Sequence, residues 1–452
     1  MIRAMAAKPA PAGAPPAPPE APGHSSVDAA AREQAGLAYV AVASFLASRV
    51  APFGGFALAL AGGTALARAA ARGGLRTGCG TTLAALVQSV AIMGPSRINT
   101  PLTQALSAPL LGWMEARRRG FAAQTAVCLL IRLAHVSALY VFFIWIVLGG
   151  LDAYAGGYDI FWSWVPGLPS GVAGALIFTA AGIVAWALAV SPFQVFLYRR
   201  ALRRWPEEGS GVEVPAGDRA PGRGEAEAPA AGVESTERVG ARRTPRFDPR
   251  AVALAAAVAF TVLLASTEPV VLAGVAGWLV LAWLTARGDR TFLLGGLVLA
   301  LLLATGALGG GLLAGLGAEE TLRRTARAGL LVLVATWLRS AAGERGLREV
   351  AHRSLGRLRR VPSAGQAAEV LDWLGGVRGL GAAAGRLRDG LLGVRRRPGP
   401  LAGAILRWIA AEQTRFAPAA APPQRGLRLR APDAALVALA VATTATLPFA
   451  GP

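Results

Sequence analysis

TPRFDPRAVALAAAVAFTVLLAS, residues 244–266, decides how this sequence is divided. A Phe-Asp-Pro-Arg turn runs directly into an apolar helix-length segment. Upstream, residues 205–246 are dominated by Pro, Gly, Glu and Arg and keep no helical periodicity, the composition of a flexible cytoplasmic linker. The turn therefore marks the start of a second unit, 247–452, after a first unit at 36–204. Residues 1–35 are rich in Pro and Ala and are expected to form a disordered cytoplasmic tail in place of a secretory signal.

Composition sets the class. Of 452 residues, 54% are hydrophobic and 16% charged, with a mean hydropathy of +0.47. A soluble domain carries roughly a quarter charged residues. The sequence predicts an all-α, polytopic membrane protein of about ten or eleven spans in two bundles, with amphipathic cytoplasmic helices. The net charge of +20 is mostly arginine flanking apolar spans. That pattern fits positive-inside topology and, without interleaved aromatics, argues against nucleic-acid binding. Cys79 and Cys128 lie in apolar spans and give no disulfide framework or metal-ligand spacing.

Apolar spans fall near 36–50, 53–68, 78–93, 101–114, 122–148 and 170–198. Arginine-rich loops follow alternate spans, at Arg68, Arg72 and Arg76, at 117–119, and at Arg199, Arg200, Arg203 and Arg204. Both ends of this six-span unit are thus expected on the cytoplasmic side, with Arg49 the exception. GPSRINTP (94–101) and the aromatic loop 149–169 share the outer face, where Tyr154, Tyr158, Trp162 and Trp164 resemble an interfacial belt. The second unit has spans near 250–266, 269–285, 291–309, 327–342 and 433–449, with a re-entrant segment near 305–320 as an alternative. Between the last two spans, residues 343–430 hold 17 Arg against 6 acidic residues, an excess that places the segment in the cytoplasm. Amphipathic helices are predicted at 347–361 and 367–380, suited to a membrane surface or a partner.

The second unit resembles the transmembrane T component of energy-coupling-factor (ECF) transporters over about 200 residues. The features that carry the resemblance are Asp248, Pro249 and Arg250 before the first span, TLRRTARAGLLVLVATWL (321–338), the amphipathic helices, and a last span led by Asp433. The resemblance implies separate ABC-type ATPases as partners and ATP used by those subunits. It also implies Ala-Arg-Gly-type motifs at the ends of the cytoplasmic helices. The nearest stretches are VRRRPG (394–399) and PQRG (423–426), while TARAG (325–329) lies in a different element. Arg357, Arg359, Arg360, Arg395, Arg396 and Arg397 are the candidates for partner coupling. The six-span unit matches the span number of the family's substrate-binding S components. Ala43, Ala47 and Ala51 offer a small-residue stripe for its packing.

Polar groups inside spans mark candidate chemistry. Arg132 and His135 lie one helix turn apart in the fifth span, and an ionisable group in the bilayer is by default a site. The alternative is satisfaction by carbonyls and polar groups on neighbouring spans. Arg97, Asn99, Thr103 and Gln104 form an unusually polar stretch suited to an outer pocket for an anionic group. Lys8, the only lysine, lies in the tail, so no Walker A motif exists. No hydrolase or zinc signature occurs, so the chain is expected to be no enzyme, with no metal or cofactor of its own.

The expected function is the multi-pass plasma-membrane component of an importer for a small solute, N-terminus cytoplasmic, with membrane lipid and separate ATPases as partners. A non-transport scaffold binding anionic lipid or a cytoplasmic partner is the alternative. A membrane-embedded enzyme on a lipid-linked substrate, using Arg97, Arg132 and His135, is the third.

Overall fold

The computed structural model describes residues 24–50, 55–162, 164–205, 247–286, 290–313, 315, 317–358, 360–375, 379–392, 394, 397–417 and 429–443. Among them every regular element is helical: α1 (His24–Val50), α2 (Gly55–Met93), α3 (Asn99–Ala116), α4 (Phe121–Phe142), α5 (Leu151–Trp162), α6 (Gly171–Arg203), α7 (Pro249–Ala265), α8 (Pro269–Thr285), α9 (Arg290–Leu313), α10 (Ala318–Arg357), α11 (Pro362–Leu374), α12 (Leu380–Leu392), α13 (Pro398–Arg415) and α14 (Ala431–Ala442). The all-α expectation holds. Three segments, Phe121–Leu148, Gly171–Arg203 and Phe292–Gly309, are long and apolar enough to cross a membrane by length and composition. α7, α8 and α14 are apolar but shorter.

Several boundaries differ from those read in the sequence. α1 begins at His24, inside the expected tail, while the linker from 206 to 246 lies outside the described residues. The spans at 53–68 and 78–93 are two helical segments within α2 that meet at a sharp kink at Gly74 (φ 80°, ψ 174°), tight enough that a Cβ added at Gly78 would stand 2.2 Å from Ala70 Cβ. Arg68 and Arg72 therefore lie at the end of the first segment and Arg76 at the start of the second, because glycine reaches this backbone region without a Cβ penalty and the chain turns there without a longer loop. The aromatic stretch expected as a loop is largely α5. Near 305–320, α9 continues unbroken to Leu313 before α10 begins at Ala318. α10 bends at Gly343 (φ 69°), so its first part runs with α7–α9 and its second leads to α11.

The 244–266 stretch is built as its residues require. Asp248 is the N-cap of α7 and its Oδ1 accepts from Arg250 N–H at 2.9 Å. Pro249 occupies the first turn, where no N–H is needed. It packs on α10 at Gly346, where an added Cβ would lie 2.7 Å from its ring. Asp433, 1% exposed, opens α14 and joins the two ends of the unit. Its Oδ1 accepts from Asp248 N–H and its Oδ2 from Arg430 N–H, each at 2.8 Å. Phe247, the crossed pair Trp278 and Trp337 (centroids 5.1 Å apart) and Leu263 form the core shared by α7, α8, α10 and α14.

A second core unites α1–α3 with α11–α13. From Leu37 to Phe45, α1 is buried on every side, because α2 covers one flank and α11–α13 the other. A helix apolar all round has no face to give to water. Small residues permit the approach: Ala43 and Ala47 are buried, while Ala51 lies outside the described residues. Ser44 stitches α1 to α2, with its Oγ donating to Leu58 O at 2.5 Å and accepting from Gly62 N–H at 2.7 Å. The cytoplasmic segment predicted from charge is therefore packed on the first unit.

Candidate functional site

The polar residues of the first unit converge where α3, α4 and α6 meet. Arg132 is 4% exposed although it sits on a helix of membrane-crossing length. Its Nη2 donates to Gln194 Oε1. Gln194 Nε2 donates to Ser107 Oγ at 2.8 Å, and Cys128 Sγ lies 3.6 Å from the same Gln194 oxygen. One turn along α6, Tyr198 OH donates to Gln104 Oε1 at 2.9 Å. Arg132 also faces the Phe56 ring at 5.8 Å.

This network is incomplete. Arg132 has no ion-pair partner among the described residues, and its Nε is buried without a hydrogen bond. Gln104 Nε2 is likewise buried and unbonded. A guanidinium without a carboxylate is costly in an apolar interior. The spare donors of Arg132 and Gln104 suit an acceptor that carries negative charge.

The expected site residues separate into two groups. His135 Nε2 pairs with Asn99 Oδ1 at 3.2 Å, one turn from Arg132. Thr103 reaches Asn99 O at 3.4 Å and Gln104 lies inside the network. Arg97 faces the other way, lying over Phe292 of α9 at 5.6 Å, with Arg339 of α10 over the same ring at 5.1 Å. Arg49 Nε donates to Arg97 O at 2.5 Å, which gives this exposed arginine a structural role. The 94–101 stretch is a 3-10 turn leading into α3, tightened by Gly94 (φ 84°). Gln194, Ser107, Ser191 and Tyr198 were missed in the sequence. Their signal was available, since Ser191, Gln194 and Tyr198 repeat at helical spacing within an otherwise apolar span.

A hollow of about 320 Å³ lies between the units. Tyr154, Tyr158 and Trp162 of α5 face it with Phe178 of α6, and Gly306 and Gly311 of α9 close it. Three of the four expected belt aromatics thus point inward, while Trp164 is 75% exposed. Arg324 and Arg327 of α10 donate to Leu148 O (2.6 Å) and Trp145 O (3.5 Å). These carbonyls belong to a π-helical end of α4 (Phe143–Leu148), whose backbone needs outside donors.

Of the candidate coupling arginines, Arg357 and Arg360 are exposed at the α10–α11 turn and Arg397 is exposed at the N-cap of α13. Arg359, Arg395 and Arg396 lie outside the described residues. The fully buried Glu412 of α13 locks the layer behind them, accepting from Arg386 (2.7 and 2.8 Å) and Arg415 (2.9 Å). Burial alone would raise the Glu412 carboxyl. The bonds and charges of Arg386 and Arg415 outweigh it and hold the group below its usual value. Arg386→Met is expected to cost about 2 kcal/mol, less than a fully buried pair, because Arg386 is half-exposed and Arg415 remains. A carboxylate depressed in the folded state contributes stability above its ordinary pKa, near 4.5, and loses that contribution as pH falls through its folded value. Thermal unfolding of both proteins should therefore differ most above pH 4.5 and converge in more acid solution. A gap that widened with acid would contradict the assignment.

The chain matches no family model, no curated protein and no solved structure.

Proposed function

We propose that this protein is the membrane component of an energy-coupled importer for a small solute bearing a carboxylate or phosphate, driven by separate ABC-type ATPases. The observation that carries this proposal is Arg132, a buried cation with no carboxylate partner among the described residues and with its Nε unbonded, on a helix long and apolar enough to cross a membrane. Exposed Leu130, Ile177, Leu188, Leu284 and Leu301 give α4, α6, α8 and α9 an apolar exterior that supports a bilayer setting. Pro109 in α3 and Pro192 in α6 each remove a backbone hydrogen bond close to the polar network, which favours hinges where a solute must enter.

The α10–α13 layer supports coupling. It is packed directly on α1 and α2, which gives a mechanical path from its arginine-edged turns to the solute region. The feature order resembling an ECF T component points to ATPases as the source of motion. Purification in mild detergent is expected to recover an ABC-type ATPase in fixed ratio. Repeated recovery of the chain alone would end the coupling proposal.

Arg132→Met separates a solute site from a structural strut. If Arg132 waits for an anion, the variant folds with unchanged stability or gains about 1 kcal/mol, because a buried charge has been replaced by an apolar side chain. Mass spectrometry should then find an acidic small molecule retained by the wild type and absent from Arg132→Met. A fall in melting temperature with no change in retained molecules would assign Arg132 to structure.

A further inference from the structure

We infer that the arginine-lined hollow at the end of α6 binds the phosphate of an anionic phospholipid. The hollow holds about 320 Å³ and is lined by Arg199, Arg200, Arg203, Arg204, Phe121 and Phe196. It lies at the end of a helix of membrane-crossing length, so the inference rests on the membrane setting proposed above.

Charge and geometry carry the argument. Glu115 of α3 fixes two of the four guanidiniums, at 3.0 Å from Arg199 and 2.7 Å from Arg203. That carboxylate also accepts from Gln124 Nε2 at 2.7 Å, so it is saturated by groups that it positions. Arg200 and Arg204 remain without an ion-pair partner among the described residues, and Arg200 Nε is buried with no hydrogen bond. Guanidinium forks match phosphate oxygens bidentately, and such bonds are the strong ones.

The walls decide the kind of phosphate. Phe121 and Phe196 are 42% and 43% exposed beside the cations, an arrangement that wastes apolar surface on a soluble ion. An amphiphile uses both, with its phosphate among the arginines and its acyl chains along the two rings and the outer face of α6. Arg200 also reaches α13, where a Cβ added at Gly399 would stand 3.3 Å from its Nη2. A lipid held there would brace the first unit against the C-terminal helical layer.

The test uses full-length protein in nanodiscs of phosphatidylcholine, with and without phosphatidylglycerol, followed by native mass spectrometry after detergent extraction. The wild type is expected to retain a single phosphatidylglycerol in preference to phosphatidylcholine. Arg200→Gln and Arg204→Gln should each weaken retention roughly tenfold. Arg204 is exposed, so its variant remains informative if Arg200→Gln fails to fold. Arg407→Gln, exposed on α13, should change nothing. Equal retention in all variants, or no preference for phosphatidylglycerol, overturns the inference. Binding of inorganic phosphate with the same arginine dependence, but without lipid retention, overturns it in favour of a soluble phosphate. Failure to enter nanodiscs sinks the membrane setting and this inference together, whereas insertion without lipid preference sinks the inference alone.

Discussion

Asp433→Ala is expected to destabilise the second unit by about 3 kcal/mol, because it strips a charged acceptor from two backbone N–H groups at once. The carboxylate is 1% exposed, so water cannot take over both bonds without opening the junction. The N–H of Asp248 loses its partner on the α7 side, and that of Arg430 on the α14 side. Asp433→Asn keeps one carbonyl oxygen and should lose about half as much. The damage should be local. Hydrogen exchange should accelerate in peptides covering 247–252 and 429–436, while α1–α3, which belong to a different core, keep their protection. Uniform acceleration across the protein, or none, would show that the contact does not hold the two ends together.

The second large effect is expected at Gly112. A Cβ built there falls 1.9 Å from Ala67 O and 2.6 Å from Ala67 C, on the backbone of α2. No rotamer change relieves a clash with backbone, so α2 and α3 must move apart. Gly112→Ala should cost about 3 kcal/mol, the upper range for overpacking. The same displacement would pull Ser107 and Gln104 away from Gln194 and Tyr198, so retained solute should fall with stability. Gly182→Ala is the control. Nothing lies within 4 Å of its added Cβ, and helix propensity predicts a gain of about 0.5–1 kcal/mol. Thermal unfolding in detergent checks both, and a Gly112→Ala protein as stable as the wild type would refute the close approach.

These two sites show how legibility varied along the chain. The Asp-Pro-Arg turn and the Asp at the last apolar segment were both visible, because capping and helix starts are local chemistry. Their contact was not, since nothing in the sequence states that residues 185 positions apart share a hydrogen bond. Arg132, His135, Asn99 and Gln104 were legible as polar residues in apolar surroundings. Arg97 carried the same signal and faces α9 instead, because the direction of a side chain at a tight turn depends on packing.

The sequence by itself determined the helical class, the apolar character of α4, α6 and α9, the turn that opens α7 and the arginine excess of the C-terminal layer. Each follows from composition, period or a local cap, which act over a few residues. Only the tertiary structure decided that the two segments of α2 meet at Gly74 without a longer loop, that α1 is enclosed by α2 and α11–α13, and that Arg132 has no carboxylate among the described residues. Those outcomes depend on which faces meet. In a chain this rich in Ala and Gly, close approach is permitted almost anywhere, so the sequence alone does not choose the neighbours.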